Sequence, residues 1–120
     1  MDYLILKVTP RRMLMSLKTR EPLSKIMAND WRITPKKTRN VERALVVYNG
    51  IIVGEFNVAN ERSIDIVTNT LSFNLTPIKN SPLNDKEIDY KTSNRASVIT
   101  SEKLNDIIVT ADNKEVSTIN

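Results

Sequence analysis

The dipeptide Asn49-Gly50, set between the β-rich runs Ala44 to Tyr48 and Ile51 to Val58, constrains this chain more than any other feature. A two-residue type I′ turn needs positive φ at both central positions, and asparagine and glycine adopt it at least cost. A β-hairpin over Arg43 to Val58 follows. Because the turn sets the register, Tyr48 should face Ile51, Val47 Ile52, Val46 Val53 and Leu45 Gly54. That register puts Leu45, Val47, Ile52 and Phe56 on one face. The other face is apolar near the turn (Val46, Tyr48, Ile51, Val53) but polar farther out at Glu55 and Asn57. Burial on both sides is therefore expected at one end only, as where a strand pair enters a curved sheet or barrel. Gly54, with no side chain to pack, marks a bend.

Before the hairpin, Tyr3 to Val8 is a short apolar run that reads as a buried, central first strand. Thr9-Pro10 then supplies an N-cap and a first-turn proline, with Met13, Leu14 and Leu17 on one helical face, so a helix of about ten residues is expected. Leu23, Ile26 and Met27 recur at helical spacing after Pro22, giving a second short helix. Trp31-Arg32-Ile33 alternates as a short strand and runs into the polar, proline-containing, cationic loop Thr34 to Asn40.

After Asn60 the pattern is less decisive. Ile64, Ile66 and Val67 fit either strand or helix, while Leu71, Phe73 and Leu75 alternate as a strand ending at Pro77. Ser81-Pro82 can open a short helix carrying Ile88 and Tyr90, and Ala96 to Thr100 reads as a late strand. Ser101 to Val109 has a capping serine and apolar Leu104, Ile107 and Ile108, suiting a helical turn followed by a strand. Residues 111–120 read as a flexible tail, leaving 1–110 as a single domain. The fold class is thus α+β: a small curved mixed sheet or partly open β-barrel with two short N-terminal helices.

A chain of 120 residues suffices to bury about two-thirds of its unfolded surface around one core. It contains no histidine and no cysteine, which removes the commonest neutral-pH base, disulfides, and the commonest ligands of zinc, copper and iron. Two glycines in the whole chain leave no glycine-rich phosphate loop. Asp85, Glu87 and Asp89, with Asp106, form a polar region without the spacing of a calcium loop. Neither a metal nor a cofactor is expected, and the chain does not read as an enzyme. No apolar run reaches the roughly 18 residues of a membrane span, and the first residues lack the pattern of a secretory signal. A cytoplasmic protein is expected. Thirteen asparagines with abundant Lys and Ile suggest a bacterium or its phage, and in the second case the host cytoplasm.

The charge is divided. Residues 1–43 hold 11 Lys/Arg against 4 Asp/Glu, and residues 44–120 hold 7 against 10, so an anionic partner should meet the N-terminal third. Trp31 beside Arg32, followed by Lys36, Lys37, Arg39 and Arg43, is the sharpest constellation. A base can stack on the indole while the cations meet phosphates, and Arg11 and Arg12 at the first helix would widen the patch. The same residues also fit a core-anchoring tryptophan followed by a solvated loop.

The order strand, basic helix, Trp-x-Ile, basic loop, then Tyr-Asn-Gly-Ile-Ile-Val-Gly-Glu-Phe-Asn-Val resembles the PUA-like superfamily, particularly its EVE-type and related small bacterial and phage domains, over about residues 31–58. That resemblance implies a barrel-like sheet flanked by short helices and binding of RNA or modified DNA bases beside a basic groove, with Trp31 the one residue placed at the pocket. The function expected is a non-enzymatic nucleic-acid-binding module. The competing expectation is a small phage or bacterial module that binds and inhibits an acidic host protein.

Overall fold

The computed structural model describes residues 1–19, 22–29, 31–92 and 94–109; the tail expected over 111–120 lies outside the described residues. The elements run β1 (Asp2–Lys7), α1 (Pro10–Thr19), α2 (Leu23–Ile26), β2 (Val41–Tyr48), β3 (Ile51–Asp65), β4 (Thr70–Pro77), β5 (Ala96–Thr100) and α3 (Ser101–Ile107). They form an α+β fold around one five-stranded mixed sheet of order β4-β3-β2-β1-β5. β1 and β2 are parallel, so the chain must cross over between them, and α1 and α2 lie in that connection. β1 is an interior strand, as its unbroken apolar run predicts. Leu4 and Leu6 enter a core shared with Met27, Trp31, Val46, Phe56 and Phe73, while Ile5 enters a second core with Leu45, Val47, Ile52, Ile99 and Leu104 on the opposite face.

The Asn49-Gly50 turn has the required geometry, with φ of 51° and 79°. Its register holds for Tyr48–Ile51 and Val47–Ile52, and then slips by one at a bulge, so that Val46 faces Gly54 and Leu45 faces Glu55. The extra residue is Val53. Because side chains alternate with period two, one inserted residue moves everything beyond it to the other face. Phe56 consequently joins the first core rather than sharing a face with Ile52, and Glu55 turns inward to 5% exposure. Gly54 is where the Phe56 ring lies: a β-carbon there would stand 2.9 Å from the ring.

β3 continues to Asp65, resolving the ambiguous stretch as strand through Ile64 and as turn at Ile66 and Val67. Beyond Val58 three residues, Ala59 to Glu61, oppose Asn74 before pairing resumes at Arg62–Phe73. There β3 has passed the end of β2, and the Arg62 guanidinium takes over: Nη1 donates to the carbonyl of Thr38 and Nη2 to that of Val41 at 2.9 Å.

Two smaller expectations are corrected. Ser81-Pro82 opens turns rather than a helix, because residues 85–88 bond to the hairpin end instead, Asp85 N–H to Ile52 and Ile88 N–H to Gly50. The cap of α3 is Thr100, whose hydroxyl accepts from Lys103 N–H at 3.1 Å, not Ser101. Thr9 caps α1 as expected, accepting from Arg12 N–H at 3.2 Å. No helix among the described residues is long and apolar enough to cross a membrane.

Candidate nucleic-acid interface

The sheet curls until its two edge strands border one cleft. Thr70 and Leu71 of β4 and Ala96 to Val98 of β5 line a space of about 740 Å³, closed on a third side by Arg32, Ile33, Thr34, Pro35 and Lys37. That volume lies within the range of small-ligand pockets, roughly 300–1,000 Å³. The floor is apolar, since Ile33, Leu71, Ala96 and Val98 all belong to or pack against the first core. The polar groups around it are Asn69, Asn94, Thr34, Thr68 and Ser97. Lys7 N–H bonds Arg95 and Ser101 N–H bonds Met1, so in this antiparallel pair residues 95, 97, 99 and 101 spend their backbone groups on β1. Ala96 and Val98 lie between them and aim their N–H and C=O outward along the cleft.

The cationic loop is built of successive tight turns, with Lys37 N–H bonding Thr34, Thr38 N–H bonding Pro35 and Arg39 N–H bonding Lys36. Its closing anchor is Thr38, fully buried and held by Arg62. This winding sends neighbouring cations to different sides: Arg32 and Lys37 border the cleft, while Lys36 and Arg39 line an adjoining concavity of about 550 Å³ with Asn60 and Arg62. Pro35 borders both, and no carboxylate is among the residues that line either. Burial lowers the pKa of Arg62 below the usual arginine value, as suits a guanidinium packed 5.8 Å from the Phe73 ring centre.

The remaining predicted site residues lie elsewhere. Trp31 is 3% exposed; its Nε1–H donates to the Met27 carbonyl at 2.7 Å, its backbone pairs with Leu71, and the Arg12 guanidinium covers its ring at 4.7 Å. A ring so enclosed offers no face to a base, so the stacking platform is corrected to a core anchor, with Arg12 as its lid rather than a phosphate ligand. Arg43 bonds Glu55 at 3.2 Å, and Ser81 Oγ donates to the other carboxylate oxygen; Arg43 is thus committed to a buried carboxylate rather than free for phosphate. Arg11 is exposed on α1 and borders neither concavity.

Tyr3 pairs with Arg43 across β1 and β2. Its pKa is raised above 10.0, first by burial and then by Glu55, with Arg43 opposing. The folded chain therefore keeps this proton to higher pH than the unfolded chain, and the associated stability, complete below pH 10, is lost as pH rises through the folded value. Urea unfolding between about pH 8 and 11 should show Tyr3→Phe losing less stability on the alkaline side than wild type, starting near the tyrosine pKa of about 10.

Arg62, Asn69 and Asn94 were not legible as site residues, because the cleft and the adjoining concavity are assembled from segments far apart in sequence. No group of three or more carboxylates that could hold a metal lies together among the described residues. Compared with known proteins, the chain matches no family model, no curated sequence and no solved structure.

Proposed function

We propose that this protein is a non-enzymatic nucleic-acid-binding module that takes a single strand along the Arg32–Arg39 loop, one nucleotide entering the cleft between β4 and β5. The observation that carries the reading is the placement of Arg32, Lys36, Lys37 and Arg39 around two adjoining concavities free of carboxylates. None of the four side chains has a hydrogen-bond or ion-pair partner among the described residues. The apolar floor suits a base, and the outward N–H and C=O groups of Ala96 and Val98 suit its polar edge; the cations suit the flanking phosphates. The same reading takes the curled sheet as a PUA-like architecture, supported by the order of elements around residues 31–58 and by burial on both faces of the hairpin.

Binding of single-stranded RNA and of plain or base-modified DNA, titrated between about 50 and 200 mM salt, tests it. Four phosphate contacts give a log–log salt slope of about −3, and Arg32→Gln with Lys37→Gln should flatten it by about 1.4. Absence of binding at the lower salt overturns the reading. So does a partner that survives nuclease treatment in a pull-down and is lost with the same two substitutions, which would assign the loop to an acidic protein.

A further inference from the structure

Two clusters of exposed apolar side chains lie outside the lining of the cleft, and they are opposite in charge. The first is the tip of the β3–β4 hairpin, where Ile66 and Val67 are 88% and 91% exposed. Asp65 stands beside them, and its Oδ1 accepts from Val67 N–H at 2.9 Å and Thr68 N–H at 3.2 Å, which fixes the tip as a turn. Glu61 follows one stretch back along β3 and is exposed as well. The second surface is the outer side of α1, where Leu14, Met15 and Leu17 are 51%, 49% and 73% exposed and no residue of the helix is buried. Arg11, Leu14, Met15 and Lys18 follow the i, i+3, i+4, i+7 spacing of a single helical face. Neither Arg11 nor Lys18 has a partner among the described residues.

We infer that these surfaces bind each other between two copies of this chain, the hairpin tip of one seating on α1 of the other. Each buries the apolar residues that the other leaves in water, and the acidic tip meets a basic strip. Asp65 adjoins Ile66 and Val67 in the tip, and Arg11 and Lys18 flank Leu14 and Met15 over about 10 Å of helix axis, so an apolar pair seated on the strip brings its carboxylate beside a cation. Each copy carries one tip and one strip, so a reciprocal pair makes the tip-on-strip contact twice. That doubling favours the reciprocal pair, because a stable interface buries roughly 1,200 Å² or more and a single fingertip on a ten-residue helix offers little of it. Where the rotation does not close, the same contact propagates as a chain of copies.

Sedimentation velocity on the full chain over a concentration series tests this, with circular dichroism to establish that each variant is folded. Wild type should associate with rising concentration, and Ile66→Asp with Val67→Asp should remain monomeric while folded. Glu61→Lys with Asp65→Lys, and Arg11→Glu with Lys18→Glu, should each weaken self-association at least tenfold. Mixing those last two variants should restore it, since in the mixed pair both contacts again join opposite charges. A wild type that stays monomeric up to about 1 mM, association unchanged by the tip substitutions, or a mixture no tighter than its components overturns the inference. None of the substituted residues borders the nucleic-acid cleft, so failure here and failure of the binding reading are separate results.

Discussion

Trp31→Ala should lower the unfolding free energy by about 3–5 kcal/mol, the range for deleting a large buried aromatic side chain. At about 4 °C per kcal/mol in a domain of this size, that is a fall in Tm of roughly 12–20 °C. Three contacts end together: the packing of the indole in the first core, the Nε1–H bond to Met27, and the surface on which Arg12 rests. The loss of Arg12's support compounds the cavity, because Arg12 Nη1 is itself buried without a hydrogen-bond partner among the described residues and depends on the ring beneath it. Trp31→Phe keeps most of the packing and forfeits the hydrogen bond, a cost of about 1 kcal/mol beyond the lost area. Thermal unfolding separates the two variants, and nucleic-acid titration of the folded Trp31→Phe protein decides what the ring does. Unchanged affinity is expected of a core anchor. A tenfold or greater loss with the fold intact would return Trp31 to the binding surface.

The contrast between Trp31 and its neighbours shows where sequence reasoning works on this chain. Local chemistry was legible: the Asn49-Gly50 turn, the Thr9 cap, the apolar β1 run and the alternation in β4 each depend on residues a few positions apart, and each is in place. The cationic loop was legible too, because charge clustering survives folding whatever the chain does around it. Legibility ended where a single residue altered a parity. The bulge at Val53 leaves no mark in composition, yet it reverses the facing of every residue from Gly54 onward and carries Glu55 inside. The cleft was invisible for a different reason. Its walls come from segments near residues 33, 70 and 97, joined only by the curl of the sheet, which the local pattern does not encode. Arg62 combines both difficulties, since an isolated arginine in a strand reads as solvated until the strand is seen to outrun its neighbour and leave the Thr38 and Val41 carbonyls for it to hold.

Arg43→Ala should destabilise the fold by about 3 kcal/mol, toward the lower end of the range for stripping one partner from a buried ion pair. The lower end applies because the Arg43 side chain is 35% exposed while that of Glu55 is 5% exposed. Water already screens one side of the pair, and only the carboxylate is stranded. Leu45, directly across the ladder, belongs to the second core and offers Glu55 no polar group; among the described residues Ser81 supplies the hydrogen bond that remains. Glu55→Gln in the Arg43→Ala background removes the unpaired charge while keeping an acceptor for the serine, so the double variant should recover about half of the loss, and the coupling in the four-protein cycle should exceed about 1 kcal/mol. Urea midpoints measure all four. The pair as a whole need not add net stability, since desolvating two charges offsets most of their attraction. What it does is make the inward turn of Glu55 tolerable, and so permit the bulge that sends Phe56 to the first core. A phosphate-binding Arg43 predicts something else: a salt slope flattened by about 0.7 in a protein whose stability is unchanged, and that outcome would reassign the residue to the interface.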